Sequence, residues 1–387
     1  MRGLYLMAGV AMAGVSSVFA LLAELQKRYD LPTSSLGWIG GAAFIAALIT
    51  QLSISRYADR GHARLVLRVG VIASAAGLLW FAAATELWQF VSARALLGAG
   101  VGMLVPPARR AILMTASGNQ GELLGRFYAA YLAGFVFGPP LAGFLTELFD
   151  VRAPFVVLGL AVAATLVPIA RIDLPEAERG VVLEKDERQV MRRLLRMREV
   201  VAAMLVIVSF RYSIGVFEPL WAVHLDSLGA STITVTLSLT AFALPMLLVA
   251  RRAGALSDRY GPRYTSVISA FATVPLMASY GFVGSLPLMI ILVIPHGLGE
   301  AVQSPGTQAA LADAAPRRDA AAAQGLGEAA GSAAAALGAF TSAPLYAWAG
   351  PGVAWLTAAS VMAVLLTAST ILDRPVRLRG TEPVVAA

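Results

Sequence analysis

A helix needs about 20 consecutive, mostly apolar residues to cross the hydrocarbon core of a bilayer. Twelve such stretches follow one another along this chain, at residues 3–25, 34–56, 65–85, 87–104, 123–149, 154–172, 200–223, 232–250, 265–283, 286–308, 320–346 and 353–372. A soluble fold of 387 residues has too little interior for this much apolar sequence, with 58 % hydrophobic and only 14 % charged residues. The same composition excludes disorder, which requires few apolar residues. A transmembrane barrel would show short alternating segments rather than long apolar runs. The expected fold class is an all-α membrane protein with twelve transmembrane helices. The first segment follows Arg2 and ends in a small-residue run at Ala20, as a signal peptide does, but eleven further spans favour a retained first helix.

The formal charge is +7, and its placement matters more than its size. With the chain threaded through the twelve spans, 25 of the 30 Lys and Arg residues fall on one side. Three (Lys27, Arg28, Arg152) fall on the other, and two (Arg94, Arg211) lie inside spans. Basic residues accumulate in cytoplasmic loops. Both termini are therefore expected in the cytoplasm, and the chain in a bacterial cytoplasmic membrane. The excess charge reports orientation and is not a nucleic-acid-binding face. The six tryptophans, Trp38, Trp80, Trp88, Trp221, Trp348 and Trp355, fall toward the outer ends of their spans, where amphipathic rings favour the interface. With no cysteine, disulfides and thiolate metal sites are excluded.

Residues 173–199 form the one long charged interval. Arg188, Arg192, Arg193, Arg196 and Arg198 alternate there with Val190, Met191, Leu194, Leu195 and Met197 at helical spacing. This reads as a basic amphipathic helix on the inner leaflet, within a solvated linker. It separates a six-helix bundle at 1–172 from a second one, with a short tail, at 200–387. The halves repeat. Asp59, Arg60 and Arg64 follow the second span, and Asp258, Arg259 and Arg263 follow the eighth, 199 residues later. A carboxylate and arginines at helix ends can bridge neighbouring helices in one conformation and release them in another.

The turn after the eighth span, Gly254, Leu256, Ser257, Asp258, Arg259, Gly261 and Arg263, resembles the loop G-x-L-A-D-R-x-G-R-[KR] of the major facilitator superfamily. The first copy keeps Ala58, Asp59, Arg60 and Arg64 but has Ser55 and His62 in place of glycines. Arg94 with Gly98 resembles the family's R-x-x-x-G pattern in the fourth span. Gly134, Gly138, Pro139 and Gly143 resemble its G-x-x-x-G-P-x-x-G-G pattern in the fifth, with Ala142 for the penultimate glycine. Within the family that last pattern goes with antiporters that export drugs or metabolites. The first span departs from many such exporters, carrying only Ser16, Ser17 and Glu24 in place of a central acid or paired prolines. The resemblance implies two six-helix bundles related by a pseudo-two-fold axis. It also implies a central cavity lined by the first, fourth, seventh and tenth helices.

Ionisable groups inside a bilayer cost several kcal/mol and mark function by default. Arg211 lies eleven residues into the seventh span, about 16 Å from its start at 1.5 Å per residue, with Glu218 seven residues later on the same face. His296, Glu300 and Gln303 share a face of the tenth span, and Gln324 and Glu328 one of the eleventh. Arg94, Arg211, Glu218, His296, Glu300, Gln303 and Glu328 are thus the candidate cavity residues. Glu300 or Glu328 is expected to carry a coupling proton, with Arg211 as charge partner and His296 as a relay.

The expected function is alternating-access secondary transport, as proton-coupled efflux of small amphipathic drugs or metabolites. Uptake of a small, even anionic, metabolite by symport and lipid movement are the alternatives. The expected partners are a small-molecule substrate, protons and the bilayer, with the chain acting as a monomer and no cofactor or metal. An enzyme is not expected. The sequence has no H-E-x-x-H, no G-x-S-x-G and no phosphate-binding loop for ATP.

Overall fold

The computed structural model describes residues 2–57, 62–115, 120–172, 187–316 and 319–373. Asp59 and Arg60, the acidic half of the linker and the tail arginines Arg374, Arg377 and Arg379 lie outside the described residues. The described chain is helical throughout. The first half runs α1 (Arg2–Arg28), a 3-10 turn (Thr33–Ser35), α2 (Leu36–Tyr57), α3 (Ala63–Ala83), α4 (Leu87–Thr115), α5 (Gln120–Leu148), α6 (Ala153–Ala164) and α7 (Leu166–Ala170). After α8 (Glu187–Leu194) come α9 (Arg198–Ser227), α10 (Thr232–Tyr260), α11 (Pro262–Ser279), α12 (Leu286–Ala314) and α13 (Ala320–Leu372).

Among the described residues, ten helices meet the length and hydropathy needed to cross a membrane, and the twelve-helix count follows from two details. The last of the ten, α13, is bent at Gly350, whose φ of 80° and ψ of 176° only glycine adopts readily. Pro351 then starts a second arm, so α13 supplies two crossings, 320–349 and 351–372. The twelfth crossing is α11, whose Arg263, Tyr264 and hydroxyl residues dilute its hydropathy, but which packs against α10, α12 and α13 like any other. The α6–α7 break at Thr165 interrupts one crossing only, and its hydroxyl donates to the Val162 carbonyl at 2.6 Å. Gly350→Ala is expected to destabilise the protein by about 1–3 kcal/mol, read as a lower unfolding midpoint in detergent.

One end of the molecule carries Gly350 and the α1–α2 connection, and the other carries α8. Across the middle, α2 packs on α13 and α5 on α10, while α1 meets α9. The second and fifth crossings correspond to the eighth and eleventh in a repeat of six. The α2–α13 and α5–α10 pairings therefore exchange under a two-fold axis, which is the two-bundle architecture the repeated sequence implied. The polar ties between halves cluster toward the Gly350 end. Lys27 pairs with Asp226 at 2.5 Å, and the Thr232 hydroxyl donates to Glu24 at 3.2 Å. There Trp38 of α2 also meets Phe340 of α13, with ring centres 5.0 Å apart.

Three sequence expectations change in the structure. The α8 helix is docked rather than solvated. Leu194 is fully buried among Val200, Met204, Ile207 and Leu311, and Arg193 pairs with buried Asp319 at 2.5 Å. Four tryptophans are exposed, but Trp221 and Trp355 point into the second bundle, where the Trp221 indole donates to Ser238 at 2.9 Å. The Trp221 indole is thus satisfied in the core, whereas Trp355 Nε1 is buried without a hydrogen-bond partner. The residues 254–259 belong to the last turns of α10, not to a loop, and the turn itself is Gly261 at φ 91°.

Candidate functional site

Arg94 lies two turns into α4 because α4 starts at the Gly350 end. Its guanidinium crosses to the second half and forms an ion pair with Glu218 of α9, both side chains being 1 % exposed. It also donates to the Val15 carbonyl of α1 at 3.3 Å and lies 5.0 Å from the Phe19 ring centre. Elements of both halves therefore converge on one cation. Neither partner is saturated, since Arg94 Nε and Glu218 Oε2 are buried without a hydrogen-bond partner. Gly98, one turn further along α4, lets that helix close on α2, since a β-carbon there would lie 2.6 Å from Ala43 Cα. Gly40 of α2 faces the pair from the opposite side, 3.9 Å from Glu218 Cδ by the same measure.

Two turns back along α9, toward the α8 end, Arg211 approaches Glu328 of α13 at 3.9 Å. These side chains are 29 % and 33 % exposed, although both lie within long apolar helices. Glu328 accepts from the Gln308 amide at 3.2 Å, and Gln324 donates to the Gln308 carbonyl at 2.8 Å. Gly331 leaves room for the Arg211 stem, since a β-carbon there would lie 2.8 Å from Arg211 Cγ.

His296 and Glu300 do not join this array. They pair with each other, Nε2 to Oε1 at 3.5 Å, and His296 Nδ1 shares a 2.9 Å hydrogen bond with the Tyr280 hydroxyl. The edges of Phe217 and Phe242 enclose the imidazole. Gln303 is buried nearby, its Nε2 without a partner. Of the expected partners for Arg211, the structure places Glu328 beside it and gives Glu300 to His296. Glu218, on the same face of α9 as Arg211, turns to Arg94 instead.

Sequence reasoning missed three residues. Arg109 lies with its guanidinium 4.7 Å over the ring of Tyr128, and Tyr131 follows three residues later on α5. Arg109 was counted with the loop arginines because the fourth apolar stretch ends at residue 104. In fact α4 continues through Pro106 and Pro107 to Thr115. Pro106-Pro107 followed by two arginines is itself a loop signal, so the local sequence concealed this continuation of the helix.

The fifth-span pattern sits where helices touch. A β-carbon on Gly134 would overlap the Gly9 carbonyl, one on Gly138 would lie 2.6 Å from the Ala13 carbonyl, and one on Gly143 would lie 2.5 Å from the Thr236 hydroxyl. The first two bring α5 against α1, and the third brings it against α10 of the other half. Pro140, following Pro139, lacks the N–H that would bond the Val136 carbonyl. Thr240 of α10 supplies that donor at 2.8 Å, so the helix break becomes a bond between halves. In the loop repeat, Arg263 pairs with Asp373 and donates to the Ser369 carbonyl at 3.2 Å, tying the start of α11 to the end of α13. Asp258 and Arg259 are exposed, and Arg64 lies in the first turn of α3.

Comparison with known proteins agrees with this architecture. Multidrug resistance protein MdtG of Dickeya zeae (strain Ech586) is 26 % identical over 284 residues, covering 71 % of this chain and 69 % of that one. Multidrug resistance protein 1 of Bacillus subtilis (strain 168) is 20 % identical over 296 residues, covering 75 % and 76 %. A mutant of the nucleoside transporter NupG superposes with a TM-score of 0.83 over 96 % of this chain and 99 % of that one, at 13 % identity. The profile of the Major Facilitator Superfamily matches residues 4–225 and again 203–386. The repeated match over both halves agrees with the two-bundle architecture, and the chain belongs to the Major Facilitator Superfamily.

Proposed function

We propose that this protein is a proton-coupled exporter of small amphipathic compounds that works by alternating access. In this reading the α8 end faces the cytoplasm of a bacterial cell, as the basic residues require. The observation that carries it is the Arg94–Glu218 pair, a buried bond between charges that belong to opposite halves. A group placed there is made when the halves close and broken when they part. Protonation of Glu218 removes one charge and weakens the bond, so proton binding and the position of the halves are linked.

The exposure of the array fits a molecule open toward the α8 end. Arg94 and Glu218 are sealed, and the ties Lys27–Asp226 and Thr232–Glu24 lie beyond them toward Gly350. Arg211 and Glu328, on the other side, are each about a third exposed. We assign proton uptake to Glu218 when the Gly350 end is open and proton release to Glu328 when the α8 end is open. The names of the two bacterial relatives support export of varied compounds.

Proteoliposomes with an imposed pH gradient test this. A panel of cationic and anionic amphipathic dyes is expected to include compounds that accumulate on the acidic side, and a protonophore should abolish the accumulation. Glu218→Gln and Glu328→Gln should each remove the dependence on the gradient while leaving dye-for-dye exchange in place. Accumulation on the basic side would mean symport. Unchanged gradient dependence in both variants would exclude these carboxylates as the coupling site.

A further inference from the structure

The two halves repeat in one register. Helices α4 and α12 each hold 29 residues and begin and end 199 residues apart, and α1 and α9 end at Arg28 and Ser227, again 199 apart. Each position in one half therefore has a counterpart in the other. The counterparts of Arg211, Gln324 and Glu328 are Met12, Gly125 and Ala129, and only Gln308 has a charged one, Arg109. The first half thus builds the same helices without a charge pair at this place. A six-helix bundle does not need the Arg211–Glu328 cluster, and charges kept at membrane depth without a structural demand mark sites.

The pair is loosely held. Arg211 Nη2 lies 3.9 Å from Glu328 Oε2, beyond hydrogen-bond length, and Arg211 Nε is buried without a partner. The side chains are 29 % and 33 % exposed, so protein seals neither charge. The Gln308 amide donates to the other carboxylate oxygen, Oε1, at 3.2 Å, and Gln324 steadies Gln308 through its carbonyl at 2.8 Å. The carboxylate is thus fixed by one oxygen, while its other oxygen faces the guanidinium across the gap. A lone cation at Glu328 would be repelled by Arg211, and a lone anion at Arg211 by Glu328. A head group that carries both charges meets attraction at each end. Its acid can accept from the planar guanidinium, and its ammonium can donate to the carboxylate.

From this arrangement we infer that Arg211 and Glu328, steadied by Gln308 and Gln324, form a subsite for the zwitterionic head of a small organic molecule, with an ammonium and a carboxylate carried close together as in an α-amino acid. Arg211 takes the acid and Glu328 takes the ammonium, so one loose contact gives way to two charge-assisted hydrogen bonds. The inference rests on the transport reading and narrows its amphipathic compounds to those with a balanced, two-charge head. Its binding chemistry stands apart from coupling and direction.

The test is calorimetric binding to the purified protein in uncharged detergent at neutral pH. The three probes share one phenylethyl body. L-phenylalanine carries both charges, 3-phenylpropanoate only the negative one and 2-phenylethylammonium only the positive one. The wild type is expected to bind L-phenylalanine about tenfold or more tightly than either single-charge probe. Glu328→Gln should move the preference to 3-phenylpropanoate, and Arg211→Gln should move it to 2-phenylethylammonium. A change of preferred charge, unlike a plain loss of binding, does not arise from a variant that fails to fold. Arg211→Lys should keep the preference for L-phenylalanine. A wild type that does not prefer L-phenylalanine, whether by equal binding or by none, would overturn the assignment, as would a preference unmoved by both glutamine substitutions. The stated reversals in a protein that moves no solute would sustain this subsite and sink the transporter reading. Gradient-driven accumulation of dyes with no zwitterion preference would do the reverse.

Discussion

Glu218→Leu is expected to destabilise the folded protein by about 3–5 kcal/mol, and by more than Arg94→Leu does. The asymmetry follows from proton chemistry. Removing Arg94 leaves a buried carboxyl that can take up a proton and become neutral. Removing Glu218 leaves a guanidinium that cannot lose its charge at any attainable pH. Its remaining partners, the Val15 carbonyl and the Phe19 ring, are neutral and do not replace a carboxylate. The double variant Arg94→Leu with Glu218→Leu should recover most of the loss, because two apolar groups of similar bulk tolerate burial well. Unfolding of the three variants in detergent gives the comparison, and all three should fail to couple transport to a pH gradient. Additive losses in the double variant would mean that the two residues do not act as a pair.

That pair also shows where sequence reasoning stops. Arg94 and Glu218 were both legible as membrane-embedded charges, because each interrupts an apolar run of otherwise spanning length. Their partnership was not. Spacing along one helix reveals shared faces, so Arg211 and Glu218, seven residues apart on α9, read as neighbours. A bond between residues 124 apart depends on how two bundles meet, which no single-helix period encodes. The twelve crossings were legible for the same reason the faces were, since hydrophobic length is local. Even there the helix ends were not, and Arg109 was lost because polar residues after 104 looked like a loop while α4 ran on to Thr115. The fate of α8 lies between these cases. Its amphipathic pattern is plain in the sequence, but the buried Asp319 that receives Arg193 sits 126 residues away.

Gly134→Val is expected to destroy transport and to lower stability by about 3 kcal/mol, the upper part of the range for forcing bulk into a packed interior. The obstruction at Gly134 is backbone, since even a β-carbon would overlap the Gly9 carbonyl of α1. A side chain in the way could turn aside, but a carbonyl in a helix cannot, so α1 and α5 must separate along their length. Separation loses the Phe19–Phe135 contact at 6.0 Å and disturbs the Val15 carbonyl that holds Arg94. It also shifts α5 against α10, where Thr240 bonds the carbonyl freed by Pro140. The glycine pattern thus sets the distance between α1 and α5 and, through it, the alignment of the charged seam. Gly125→Ala on the same helix is the control, because a β-carbon there meets nothing within 4 Å, and it should leave transport and the unfolding midpoint unchanged or slightly raised. Wild-type flux in Gly134→Val would show that α1 and α5 need not be in contact for the seam to work. Loss of flux in both glycine variants would instead point to a demand on the α5 backbone itself.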